Sequence, residues 1–465
     1  MKHQLFLGVF ILQGIFSLAV AQQHFQLNGI VLTAKGSIPV PYAHVGIPAR
    51  GMGVVSNEVG AFTLNYPAAY AKDSLKVSCL GFKTYTVALS KVQQEDTLRI
   101  YLKPEVLELA EMIIKPHSDS GRAILREALK RLKKNYPTKM HQLNAFYREK
   151  VQSRDDYSFT RLMEGIVDIQ DWGIDSDPQR MRIRVNEYRK SNNLAKQTLG
   201  QRAWGMMFGK DNPLYDILAQ DPVRIHAHNE RTIHKYPGPG KSFAHNSRRY
   251  WLGEILKSPK ASVRLVDVTS YDGEQVYCLK FRFPENYGNI YINSRDYGIH
   301  HIEYNNAASY EEIILEAGID TSSEKGKSHA EFIKHSTQNA LYGGKYIGKI
   351  RVDYQKIAGK YYLSYIEWLT MGDFRKSKIH EGKTTGSYNF CSLMVNEVQP
   401  DKKEMAKVKP RQTLNRKEDT DDVRKQYNER FWRNYNVLLA TPLENKVIRD
   451  LTFEESLEQQ FKKNQ

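Results

Sequence analysis

Cysteine is scarce, with three in 465 residues, at Cys79, Cys278 and Cys391. The number is odd and the positions are far apart. That excludes a disulfide framework and a cysteine-type zinc site, which need even-numbered or closely spaced sets. Each cysteine lies in a strand-like run, where a thiol packs as a small hydrophobe. After the first residues of the chain, no stretch approaches the ~20 apolar residues of a membrane helix. There is no G-x-S-x-G nucleophile elbow. Gly343-Gly344 lacks the Lys-Ser/Thr of a phosphate-binding loop and reads as a turn. No internal repeat is present, and no motif points to a reaction, a substrate or a cofactor.

What is there begins with an export leader. Lys2 and His3 form a short positive region, and residues 5–18 are apolar apart from Gln13, Ser17 and small glycines. Ala19-Val20-Ala21 is an A-x-A cleavage pattern, so residues 1–21 read as a signal peptide with a mature start at Gln22. The alternative, a membrane anchor, needs a longer apolar run. No cysteine near the cleavage point offers a lipid attachment site. Hydrophobic residues make up 41% of the chain, which places it among globular proteins. The 28 Tyr and 18 Phe favour strands. Net charge is +16, which is compatible with nucleic acid, anionic lipid or acidic polysaccharide. Export makes nucleic acid the least apt of these. Because Lys and Arg are spread along the chain, a solvated basic surface is the plainer reading.

Residues 25–103 read as seven short strands with closely spaced turn signals: 25–32, 40–47, 53–56, 60–64, 74–80, 82–89 and 97–102. Ala43, Val45 and Ile47 alternate toward one core, as do Phe62 and Leu64. Gly60 ends a turn where a Cβ would be costly. Gly29-Ile30-Val31, then Pro39 through Ala43 and Val45, then Ser56 through Gly60-Ala61-Phe62-Thr63-Leu64, then Ser78-Cys79-Leu80-Gly81-Phe82 follow in order. This series resembles the carboxypeptidase-D regulatory-like domain, whose pattern is G-x-V, P-x-x-x-A-x-V, T-x-x-x-G-x-F-x-L and S-x-x-G-[YF]. Ser56 stands where Thr is usual and Val40 where Leu is common. The resemblance implies a prealbumin- or Ig-like β-sandwich that is non-catalytic, of the kind found at the front of envelope proteins of Bacteroidetes-type bacteria. Residues 107–114 resemble the strand-like segment that follows it there.

The resulting fold class is mainly β. Residues 22–104 form the sandwich. Residues 105–142 hold a linker and an amphipathic helix, capped by Ser118 or Asp119 and stopped by Pro137. Ile124, Leu125, Ala128, Leu129, Leu132 and Tyr136 make its apolar stripe. Its other face carries Arg122, Arg126, Lys130, Arg131, Lys133 and Lys134, as a wet face or an anionic-membrane contact. Residues 143–399 are a large antiparallel curved sheet or half-barrel, with helical inserts at 198–208 and 213–218 and an irregular loop at Gly238-Pro239-Gly240. The strand pattern of 279–304 resembles the half-barrel of outer-membrane lipoprotein-sorting proteins. That resemblance implies an apolar concavity for acyl chains or for another protein's hydrophobic segment. Residues 400–465 read as a charged linker and C-terminal helices. Asp421 or Asp422 would cap a helix running to Tyr435, and Thr452 would cap another containing Leu457 and Phe461.

Candidate chemistry is sparse. His300 and Glu303 have the H-x-x-E spacing of metallocarboxypeptidase zinc ligands, with His380 as a notional third. On a strand, however, positions i and i+3 face opposite sides. His226-Ala227-His228 would place two imidazoles on one strand face. Asp155-Asp156 and Glu311-Glu312 read as solvated turns. Tyr361, Tyr362 and Trp368 outline a possible ligand groove, against a bland reading as core or cross-strand pairs. No residue is assigned as catalytic, cofactor-binding or metal-binding. The sequence points to a non-enzymatic protein of the periplasm or outer-membrane periphery that acts as a binding or structural module. Its partner would be an outer-membrane protein, a lipid or a polysaccharide. A lipid or lipoprotein carrier on the half-barrel and a metallohydrolase are the alternatives.

Overall fold

A computed structural model describes residues 24–92, 97–105, 120–153, 156–176, 180–194, 213–218, 221–224, 226–227, 251–283, 286–308, 322–324, 327, 346–371, 387–414, 423 and 425–464. The leader, the caps at Ser118 and Asp119, segments 107–114 and 198–208, and the Gly238-Pro239-Gly240 loop lie outside them. So do Asp155, His228, Glu311, Glu312, Gly343, Gly344 and His380.

The first seven strands are β1 (His24–Thr33), β2 (His44–Ile47), β3 (Met52–Val55), β4 (Ala61–Pro67), β5 (Ser74–Ser78), β6 (Tyr85–Ala88) and β7 (Leu98–Leu102). They form two layers, β4-β1-β7 and β3-β2-β5-β6. Leu27, Val31 and Leu64 of one layer share a core with Val45, Ile47 and Val77 of the other. This is the sandwich expected from the alternating apolar positions. Gly60 has φ 75° in the turn before β4, as that turn requires.

Ten further strands build the curled half-barrel sheet. They are β8 (His141–Ser153), β9 (Phe159–Asp171), β10 (Arg182–Lys190), β11 (Ser262–Tyr271), β12 (Glu274–Phe283), β13 (Asn286–Asn293), β14 (Ile299–Ala308), β15 (Tyr346–Ile357), β16 (Lys360–Met371) and β17 (Ser387–Gln399). All pairings are antiparallel, in the order β11-β12-β13-β14-β15-β16-β17-β8-β9-β10. The described helices are α1 (Ser120–Lys130), α2 (Leu132–Asn135), α3 (Pro213–Leu218), α4 (Trp251–Lys257), α5 (Glu429–Asn434), α6 (Pro442–Leu451) and α7 (Leu457–Lys463). Leu125, Leu129 and Leu132 from α1 and α2, with Leu214 of α3 and Leu252 of α4, cover one face of the sheet. The other face carries the sandwich, and Phe146, Ile166, Tyr365 and Met394 join its core. With both faces covered, β8 and β9 are buried almost throughout, so their polarity does not alternate cleanly.

The two β units meet on one strand edge. β17 pairs β8 along its whole length but pairs β16 only as far as Met394. Beyond that point its second edge is taken by the sandwich, with Met52 opposite Glu397. Val398 N donates to Gly51 O at 2.9 Å. Gly51 has φ 60°, and a Cβ there would lie 2.8 Å from Val398 O. Only glycine satisfies both the left-handed backbone and the close approach. At the far end, Gly81 N donates to Ser270 O at 2.8 Å, and Lys76 pairs with Asp272 at the tip of the β11–β12 hairpin.

The C-terminus departs from the sequence reading. Asp421 and Asp422 lie outside the described residues; residues 425–428 are not helical, and the helix there starts at Glu429, where the Asn428 side chain accepts from Phe431 N. The last helix is capped not by Thr452 but by Ser456, which forms a reciprocal capping box with Gln459. An additional helix, α6, lies between them. This strap binds both units. Asn436 accepts from Asn65 N at 2.6 Å and donates to Asn65 O at 3.0 Å, imitating a strand partner. Trp432 enters the sandwich core, while Val447, Leu451 and Phe461 pack on Phe159 and Leu162 of β9.

Gly51→Ala should therefore destabilise the full chain by about 2 kcal/mol or more in urea unfolding. An unchanged midpoint would show that the close approach is dispensable. Asn436→Ala strands two backbone groups and should cost about 1–3 kcal/mol in the same measurement.

Candidate functional site

The seam between sandwich and sheet holds a buried polar cluster that follows from strand geometry. His301 and Glu303 share a face of β14, and Arg351 and Asp353 share a face of β15, because side chains repeat every second residue. The register places His301 opposite Asp353 and Glu303 opposite Arg351. Four ionisable groups thus form a checkerboard of alternating sign. His301 Nδ1 lies 2.7 Å from Asp353 Oδ1, and Arg351 Nε donates to Asp353 Oδ2 at 2.8 Å. His301 Nε2 is 3.7 Å from Glu303 Oε2, and Asn289 donates to Glu303 Oε1 at 2.9 Å.

Sandwich residues close over this cluster. The Arg351 guanidinium sits 4.2 Å from the centre of the Tyr42 ring, and Tyr42 has a left-handed backbone with φ 56°. Ser364 Oγ donates to Asp353 O at 2.9 Å and lies 3.1 Å from His44 Nε2. The hydroxyl has one proton and gives it to the carbonyl, so this network assigns the donor hydrogen of the second contact to His44 Nε2.

Burial opposes the charges, but each has an answer. Desolvation favours neutral Asp353, yet Arg351 and His301 hold its pKa well below the carboxylate range. Desolvation also works against charged His301, but Asp353 and then Glu303 raise its pKa above the usual imidazole value. The His301 hydrogen bond, with Asn289, holds Glu303 down to about 2 despite burial. Burial dominates for His44, whose pKa is lowered, and for the Cys79 thiol, which is pushed up to about 11. Each of the four charges thus faces an opposite charge within the cluster.

A second polar group lies on the helix face. Asp171 receives both Arg224 nitrogens and Gly173 N, and His141 Nε2 stands 3.6 Å away. Asp221 accepts from the Tyr354 hydroxyl and from the backbone of Val223 and Arg224. These groups border a cavity of about 20 Å³, enough for one water molecule.

Of the groove residues read from sequence, Tyr361 and Tyr362 line this cavity and Trp368 does not. Tyr361 is fully buried and packs on Tyr136 and His300; Tyr362 packs on His141. Trp368 is half-buried further along β16, opposite Ile350 and Cys391. His300 does not share a face with Glu303. It falls at a β-bulge, with Nε2 3.5 Å from both Tyr361 OH and Asn293 Nδ2, and burial lowers its pKa to about 3. His226 is helical rather than in a strand, and His228 lies outside the described residues. Among the described residues, no three His, Cys, Asp or Glu side chains gather as a metal site. The sequence trace of this cluster is H-x-E on one strand and R-x-D on another, at the two-residue period.

Residues 27–114 match the CarboxypepD_reg-like domain. This regulatory-like domain contributes Tyr42, His44 and Cys79 to the seam. No curated protein sequence matches the chain. Among solved structures, the chain is similar to a domain from Vibrio parahaemolyticus named for outer membrane lipoprotein sorting, at 10% identity over 61% of this chain and 93% of that one, with a TM-score of 0.23. It is also similar to a DUF1329 family protein from Desulfovibrio piger, at 7% identity over 62% and 95%, with a TM-score of 0.21. A membrane-associated protein of unknown function from Bacteroides fragilis aligns at 11% identity over 81% and 96%, with a TM-score of 0.14.

Arg351→Ala should cost about 3–5 kcal/mol, because it leaves Asp353 buried beside a single partner. His301 has a folded pKa above its unfolded value. Its contribution is fully present below the unfolded pKa of about 6.5 and is lost as pH rises through the folded pKa. The stability gap between wild type and His301→Gln should accordingly be wider at pH ~6 than at pH ~9 in urea titrations. A gap independent of pH would show that His301 is neutral in the folded protein.

Proposed function

We propose that the protein is a non-enzymatic component of a bacterial cell envelope, exported by its leader to the periplasm or the outer-membrane periphery, where it binds a partner or holds structure. The observation that carries this reading is the welded seam. The regulatory-like domain is joined to the half-barrel by shared backbone pairing, a shared core and a self-neutralising ion cluster, so it serves as a fixed part of one binding body. Every ionisable group in the seam is engaged with another group of the same chain. The cavity bordering the second cluster is about 20 Å³, the room of one water molecule.

Two measurements test this. Cell fractionation should recover the chain outside the cytoplasm, processed before Gln22; retention of the unprocessed chain in the cytoplasm would sink the localisation. Lipid extraction and mass spectrometry of the folded, salt-washed protein should find no stoichiometric acyl lipid. A lipid present at about one per chain would transfer the assignment to the carrier alternative.

A further inference from the structure

We propose that the outward face of α1 and α2 docks the protein on an anionic phospholipid bilayer. The two helical segments run nearly as one. Arg131 N donates to Glu127 O at 3.2 Å and Asn135 N to Arg131 O at 2.9 Å, so the turn-by-turn register carries across the junction. The inward stripe of Leu125, Leu129 and Leu132 is spent on the sheet core. Arg126, Lys130 and Lys134 follow at four-residue steps on the outside, with Lys133 beside them and Lys139 just past the helix end, and all are exposed.

The charge on this face is unbalanced. Glu127 is held by Arg131 at 2.7 Å, and Asp175 lies 4.0 Å from Lys133. Among the described residues, Arg126, Lys130, Lys134 and Lys139 have no carboxylate within ion-pair distance. Lys360 adds a further cation, with its ammonium donating to the backbone oxygen of Lys134 at the end of α2.

The chemistry of the face selects its partner. None of the exposed large hydrophobic side chains falls between residues 120 and 139. Protein interfaces bury aromatic anchors and are depleted in lysine at their centres. A bilayer asks for neither an anchor nor a fixed register, since its anionic headgroups diffuse to wherever cations are held. A lysine-rich, anchor-free row matches that surface, and its attraction is short-ranged and salt-sensitive. This goes beyond the envelope role proposed above and stands on charge placement alone.

The test is co-sedimentation of the full chain with vesicles of phosphatidylcholine containing ~30% phosphatidylglycerol, at ~50 mM salt. Pure phosphatidylcholine vesicles are the comparison. Binding should require the anionic lipid and fall steeply by ~300 mM salt. The quadruple variant Arg126→Gln, Lys130→Gln, Lys134→Gln, Lys139→Gln should bind about tenfold or more weakly. A control with the same charge change at Lys35, Lys91, Lys402 and Lys403, all exposed elsewhere, should bind within about twofold of wild type. The quadruple variant keeps every core residue, and its unfolding midpoint should match wild type. Equal loss in both variants would reduce the effect to net charge and overturn the proposal, as would failure of the wild type to bind anionic vesicles.

Discussion

A sheet edge cannot be left bare inside a protein, because its amide and carbonyl groups must find partners. β17 meets that constraint in two ways along a single edge. It pairs with β16 as far as Met394, and where the curl of the sheet draws them apart, Met52 and Gly51 of the sandwich take over. This exchange sets the position of the sandwich on the sheet. The shared core of Phe146, Ile166, Tyr365 and Met394 follows from it, as does the closing of Tyr42 and His44 over the ion cluster.

The ion cluster sits where such a join tolerates it. Buried charges are weak contributors to net stability but strong determinants of alignment, since a shifted register would place like charges opposite one another. A two-residue slip between β14 and β15 would set Glu303 opposite Asp353 in one direction and His301 opposite Arg351 in the other, like charges facing in either case. The cluster therefore fixes the register of the strands on which the sandwich rests.

The sandwich was legible in the sequence because its information is local. Ala43, Val45 and Ile47 alternate, Gly60 marks a turn, and the spacing between motifs is short. The strands of the half-barrel were also legible as an antiparallel series, although β8 and β9 do not alternate cleanly, because both of their faces are covered. The last cap was misplaced because Thr452 is as good a capping residue by type as Ser456, and the Gln459 side chain completes a reciprocal pair only with Ser456. The seam was invisible for another reason. His301 and Asp353 are 52 positions apart, and only strand register brings them together. His300-x-x-Glu303 is a helical spacing on a strand, and the two side chains do not share a face. Tyr361 and Tyr362 sit together at the small cavity, while Trp368 belongs to another stretch of the same strand.

The amide pair between Asn65 and Asn436 joins positions 371 residues apart. At ribosomal rates of ~5–20 residues per second, the later residue is made roughly 20–75 s after the earlier one. Throughout that interval the flank destined for Trp432 has no cover. Contacts of such long separation also form slowly once both ends exist. The apolar flank of the sandwich that Trp432 covers is thus the last part of that core to be closed.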